Sequence, residues 1–108
     1  MKYSRNPRVR YQRNILLSTY ISLDDLLSLG SHQHLEIYPV GVLSRMGVLF
    51  ELNLTSALIW EFLTDKKSHD EIVEYISKIF DVESEVLNQD ITEIFDQLMQ
   101  HGLCICYE

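Results

Sequence analysis

The apolar residues of this chain change their spacing at Asn53. Before it they fall in short runs bounded by turn residues, which is the pattern of strands. Leu35–Ser44 and Val48–Leu52 form such a pair, and Arg45-Met46-Gly47 between them is short enough for a hairpin, with Gly47 able to take positive φ. Pro39 cannot donate a ladder bond and belongs on an edge or at a bulge, and Gly41 supports a local bend. After Asn53 the spacing becomes helical. Asn53 suits an N-cap, because its side-chain oxygen can accept from free amides of the next turn. Leu54–Leu63 is apolar around most of its circumference, which predicts a buried helix. Thr64–Lys67 reads as a polar turn. Ser68-His69-Asp70-Glu71 is a capping box, and the helix behind it places Ile72, Val73, Ile76, Ile79 and Phe80 on one stripe. Asp81–Ser84 breaks it. A last helix, about Glu85–Gln100, carries Leu87, Ile91, Ile94, Phe95 and Leu98 on one face. Gly102 stops it, and the alternation from Leu103 to Tyr107 permits a terminal strand.

The first third is less regular. Residues 1–14 have no apolar period and are expected as a flexible basic arm, with 15–108 as a single domain. Ile15–Ile21 is rich in β-branched and aromatic residues and reads as a strand. Ser22–Gly30 reads as a short helix with a cap-like start and a glycine stop, and Ser31–Gln33 as a turn. The order, strands and then three helices, indicates an α+β fold. A three-stranded antiparallel sheet followed by three helices has the general shape of a small winged-helix-like domain.

Composition narrows the function. The 108 residues carry a net charge of −7, while residues 1–14 hold five basic residues and no acid, leaving −12 for the rest. So acidic a body is repelled by phosphate backbones, which sets the chain against nucleic acid as a main partner. No run approaches the roughly 18 apolar residues of a membrane span, so no membrane is expected. The basic, polar start has no apolar segment behind it and does not read as a secretory signal. Cys104 and Cys106 are then expected as reduced thiols in a cytoplasmic protein.

Catalytic chemistry is missing from the pattern. There is no phosphate loop, no glycine-rich nucleotide loop and no HExxH, so no enzyme activity and no cofactor are expected. His32 and His34 (HxH) with Cys104 and Cys106 (CxC) could together make a four-ligand zinc site, though zinc pairs more often use CxxC. Exposed histidines in a turn and two small core-compatible cysteines in a strand explain the same residues. His69 and His101 flank helix ends, where capping or exposure accounts for them. Trp60, mid-helix, reads as core, and Asp90, Glu93 and Asp96 as a solvated acidic face.

The ordered set Leu52-Asn53, Ala57, Ile59-Trp60, Glu71-Ile72-Val73, Asp90-Ile91, Leu98 and Gly102-Leu103 resembles the PqqD-like family over roughly residues 35–105. The resemblance implies a winged-helix-like fold of three strands followed by three helices. It also implies a recognition element for ribosomally made, post-translationally modified peptides. Such elements hold the leader segment of a precursor peptide and present the core to a modifying enzyme, such as a radical SAM enzyme, a cyclase or a leader protease. The leader docks as an added strand on the third strand, in the groove beside the third helix. Here that strand is Val48, Leu49, Phe50, Glu51 and Leu52, and that helix carries Ile91, Ile94, Phe95 and Leu98, some of which must pack on the core. Arg45 and Met46 could contact one peptide end.

The chain departs from members in pyrroloquinoline quinone synthesis by about thirty residues before the hairpin and by the EIYPVGVL segment. A stand-alone element for another peptide, such as a lasso or thioether-bridged peptide, is therefore expected. An open strand edge can also pair with a second copy, which allows a homodimer. Two alternatives remain. A winged-helix DNA-binding regulator needs a basic recognition helix, yet Glu85–Gln100 has no Lys or Arg and the helix before it has only Lys78. A small metal-binding protein would use the His and Cys pairs.

Overall fold

The computed structural model describes residues 1–17, 23, 25 and 37–107. Among the described residues it is an α+β fold with three long helices and two three-stranded antiparallel sheets. The strands are β1 (Lys2–Arg5), β2 (Arg10–Arg13), β3 (Gly41–Arg45), β4 (Val48–Leu52), β5 (Lys67–Ser68) and β6 (Cys104–Tyr107). The helices are α1 (Leu54–Phe62), α2 (His69–Phe80) and α3 (Ser84–Gln100). The chain forms two compact units, one of Met1–Pro7 with Phe62–Glu108, the other of Arg8–Glu61.

In the unit Arg8–Glu61 the sheet runs β2-β3-β4. Met46 (φ 53°) and Gly47 (φ 81°) both take positive φ between the paired Arg45 and Val48. That is the type I′ pattern, whose twist matches the strands it joins. β4 forms as the spacing predicts. β3 does not begin at Leu35: it starts at Gly41, after a cis Tyr38-Pro39 peptide, and residues 37–40 are outside the strand. Pro39 has no donor for a ladder, so the strand opens behind it. Leu35 and Glu36 lie outside the described residues. At Asn53 the side-chain oxygen accepts from the Ser56 N–H at 2.9 Å, which starts α1, and Ala57, Leu58, Ile59 and Trp60 are buried.

The expected flexible arm is replaced by two strands. β2 pairs with β3, placing Tyr11 opposite Leu43 and Arg13 opposite Gly41. The Tyr11 ring lies where a side chain at residue 41 would stand; a Cβ there would be 2.6 Å from the ring edge. Ile15–Leu17 is a 3-10 turn and not the start of a strand, because Asn14 Oδ1 accepts from the Leu16 N–H at 3.0 Å. Residues 18–21 of that expected strand lie outside the described residues. So does most of Ser22–Gly30, of which Leu23 and Asp25 are helical, and all of Ser31–Gln33.

In the other unit the sheet runs β5-β1-β6, so the first strand of the chain is central. Tyr3 anchors it: it is buried and stacks on Phe95 with ring centroids 3.9 Å apart. Both bonds of the Ser68–Glu71 capping box are present. α2 ends where Asp81 turns left-handed (φ 52°). Past α3, Gly102 (φ 70°) lets the Leu103 N–H reach the Leu98 carbonyl at 2.8 Å and its own N–H reach Met99 at 3.0 Å. This is the Schellman closure. β6 then pairs with β1, with Cys104 inward and Ile105 outward.

Candidate functional site

β4 is an edge strand. In a two-residue hairpin the pair beside the turn exchanges ladder bonds, and bonded pairs alternate from there. Arg45↔Val48 and Leu43↔Phe50 are then the bonded pairs, and Ser44↔Leu49 and Val42↔Glu51 are not. The N–H and C=O groups of Leu49 and Glu51 therefore point away from β3. Among the described residues no strand lies on that side. Apolar surface gathers at the same hairpin: Met46 is 89% exposed, Leu49 68% and Val48 54%. Phe50 is half-buried and Leu52 is buried. The strand half of the expected site is thus one edge with exposed side chains and outward backbone groups.

The helix half is different. Ile91, Phe95 and Leu98 are buried core residues, and Ile94 is part-exposed. The stripe that the periodicity exposes to view is mostly the inner face of α3. Ile94 alone of the four retains surface.

Tyr11, Arg13 and Glu61 form a polar cluster in the Arg8–Glu61 unit. Arg13 grips the Glu61 carboxylate with two bonds of 2.9 Å, and the Tyr11 hydroxyl donates to Oε2 at 2.5 Å. The Leu23 N–H donates to Oε1 at 3.2 Å. Burial raises the Tyr11 pKa, and the Glu61 carboxylate raises it further. For Arg13 burial pulls down, but the bond and charge of Glu61 outweigh it and the net shift is upward. Such a satisfied, paired cluster fastens β2 to α1; it leaves no group poised for catalysis. Sequence reasoning missed it. The available signal was Glu61, the one charge in a mostly apolar helix.

The zinc alternative gains nothing from the described residues, where no cluster of three His, Cys, Asp or Glu could hold a metal. His32 and His34 lie outside them. Burial pushes the Cys104 thiol up to about 12, which keeps it protonated and unreactive. A cleft lined by Asp70, Val73, Glu74, Ser84, Glu85 and Asn88 has carboxylates set against an anionic ligand. No described helix is long and apolar enough to cross a membrane.

No curated protein matches the chain. A solved structure does: the solution NMR structure of the PqqD truncation of Methylobacterium extorquens PqqCD, described as a functional and stand-alone recognition element for ribosomally synthesized and post-translationally modified peptides. The two share 11% identity over 97% of this chain and 89% of that one, with a TM-score of 0.67, a likeness of fold. With 97% of this chain aligned, the length before the hairpin no longer sets it apart from that fold. The family described as Coenzyme PQQ synthesis protein D (PqqD) matches residues 26–103, most of the chain, and the protein belongs to it.

Proposed function

We propose that this protein is a non-catalytic recognition element that binds the leader segment of a ribosomally made precursor peptide by strand addition to β4. It then presents the peptide to a modifying enzyme. The observation that carries this reading is the outward edge at Leu49 and Glu51, flanked by exposed apolar residues. A disordered leader can satisfy those backbone groups as an added strand. Family membership and the described role of the matched structure support the same reading. The enzyme would be of the kind that acts on such peptides, a radical SAM enzyme, a cyclase or a leader protease. A lasso or thioether-bridged product and a cytoplasmic site of action belong to this proposal.

The test is titration of the full chain with the precursor peptide encoded beside its gene, following backbone amides by NMR. The Leu49 and Glu51 amides should shift with the bound fraction. Leu49→Pro removes an outward N–H and leaves the β3 ladder, so it should weaken binding at least about tenfold while Leu49→Ala, which keeps the N–H, weakens it less. Phe50→Pro removes an inward N–H and should chiefly destabilise the sheet. Circular dichroism of each variant separates lost binding from lost folding. Tight binding that leaves the Leu49 and Glu51 amides unmoved would reject strand addition.

A further inference from the structure

Backbone pairing alone is a poor selector. Leu49 and Glu51 offer two N–H and two C=O groups, and such bonds look the same for every sequence. Any discrimination between leaders must come from side chains that stand beside the added strand.

Resting on the strand-addition reading, we infer that Leu49 and Glu51 select a leader segment with a cationic residue two positions before an apolar one. Leu49 and Glu51 are two apart on β4, so their side chains stand on one face of the sheet. That face is built in cross-strand rows: Arg10, Ser44, Leu49 and then Gln12, Val42, Glu51. An antiparallel strand beyond β4 extends each row by one residue. The residue beside Glu51 comes first along the peptide, and the residue beside Leu49 follows two later.

Each row asks for a different chemistry. Leu49 has only the small Ser44 beside it in its row and is left 68% exposed. An apolar residue on its free side removes surface of both from water. Glu51 is exposed and lies next to Val42, which cannot pair with its charge. Directly opposed unlike charges on neighbouring strands attract, and like charges repel. A lysine or arginine is therefore favoured there, and an acidic residue is rejected. The net −7 of the whole chain works in the same direction at longer range.

The experiment is selection of a displayed library of random short peptides on the full-length protein and on its Glu51→Lys variant. Residue 51 is exposed, so the variant should fold, and circular dichroism checks it. Enriched peptides should carry Lys or Arg two positions before an aliphatic or aromatic residue. On Glu51→Lys the first position should turn to Asp or Glu while the second is kept. A selected peptide should bind Glu51→Lys about fivefold more weakly than the wild type, with Glu51→Gln between them. Enriched peptides that shift the Leu49 and Glu51 amides, yet show the same first position on both proteins, overturn this selection rule and leave strand addition standing. Absence of enrichment, or enriched peptides that leave those amides unmoved, overturns strand addition itself.

Discussion

Replacing Glu61 by alanine should be among the most damaging single changes in the Arg8–Glu61 unit. The carboxylate accepts two bonds from Arg13, one from Tyr11 and one from the Leu23 N–H. The Arg13 and Glu61 side chains are each only 15% exposed. Breaking a buried ion pair by removing one partner costs about 3–5 kcal/mol, because the other charge stays behind unpaired. Residual water contact lowers that figure, and the orphaned Tyr11 hydroxyl adds about 1 kcal/mol. The expected loss is about 3 kcal/mol, a large share of the roughly 5–15 kcal/mol that holds a typical domain together. It corresponds to a fall in Tm of roughly 12–24 °C for a domain of this size. Trp60, the single tryptophan and fully buried, reports urea unfolding by fluorescence. Glu61→Gln keeps acceptor oxygen and should lose about half as much. Asp65→Asn removes the charge that pairs with Lys67 at a site where Asp65 is 72% exposed, and should leave the urea midpoint nearly unchanged. If Glu61→Ala costs no more than Asp65→Asn, the cluster is not what fastens β2 to α1.

Two further outcomes follow from the titrating groups. The backbone N–H of Ser68, and then its side chain, hold the Glu71 pKa below its ordinary 4.5. A lowered carboxyl pKa contributes stability above the unfolded value, and that contribution is lost as pH falls through the folded one. Urea midpoints measured from pH 6 down to 3 should therefore fall less steeply for Glu71→Gln, and superimposable profiles would contradict the box as an acid-sensitive lock. At the other end, the Cys104 thiol is raised by burial from 9.0 to about 12. The unfolded thiol ionises first, so stability should decline as pH rises through that window. With a disulfide reagent near pH 8, half-buried Cys106 should react in the native protein and Cys104 only on unfolding; rapid labelling of both would refute the burial of Cys104.

What the sequence revealed depended on how the information was spaced. The hairpin, the Asn53 cap, the Ser68–Glu71 box and the Gly102 stop are local devices, each written within four or five residues, and all formed. The two N-terminal strands are not local. Beyond backbone pairing, β1 is anchored by one stacked tyrosine and β2 by a charge pair whose partner lies about fifty residues away, so neither shows an apolar period. The same distance problem hid the second sheet, which draws its three strands from the start, middle and end of the chain. In the candidate site, the β4 edge was legible because a hairpin with a helix behind it leaves one side of its second strand outward. The helix side was not. A stripe at i, i+4, i+7 marks a buried face and an open binding face equally well, and here Ile91, Phe95 and Leu98 went to the core.

Not every edge here is an equal invitation to a foreign strand. Sheets guard their edges with charge, brevity or cover, because an unguarded edge recruits neighbours. β2 ends its sheet with only four residues, and exposed Arg10 brings a charge to it, while Arg13 is paired with Glu61. β5 is two residues long. β6 is uncharged, but the Lys66 ammonium sits 3.8 Å from the centre of the Tyr107 ring, bringing a cation to that strand. β4 has no lysine, arginine or proline along its length, and its one acid, Glu51, stands at an outward backbone position beside exposed Leu49. A protein that had only to fold would gain from a charge at residue 49, where leucine contributes little burial and exposes an edge to aggregation. Keeping leucine there makes physical sense if the edge is meant to be filled, and filled by a segment that a single carboxylate can still refuse.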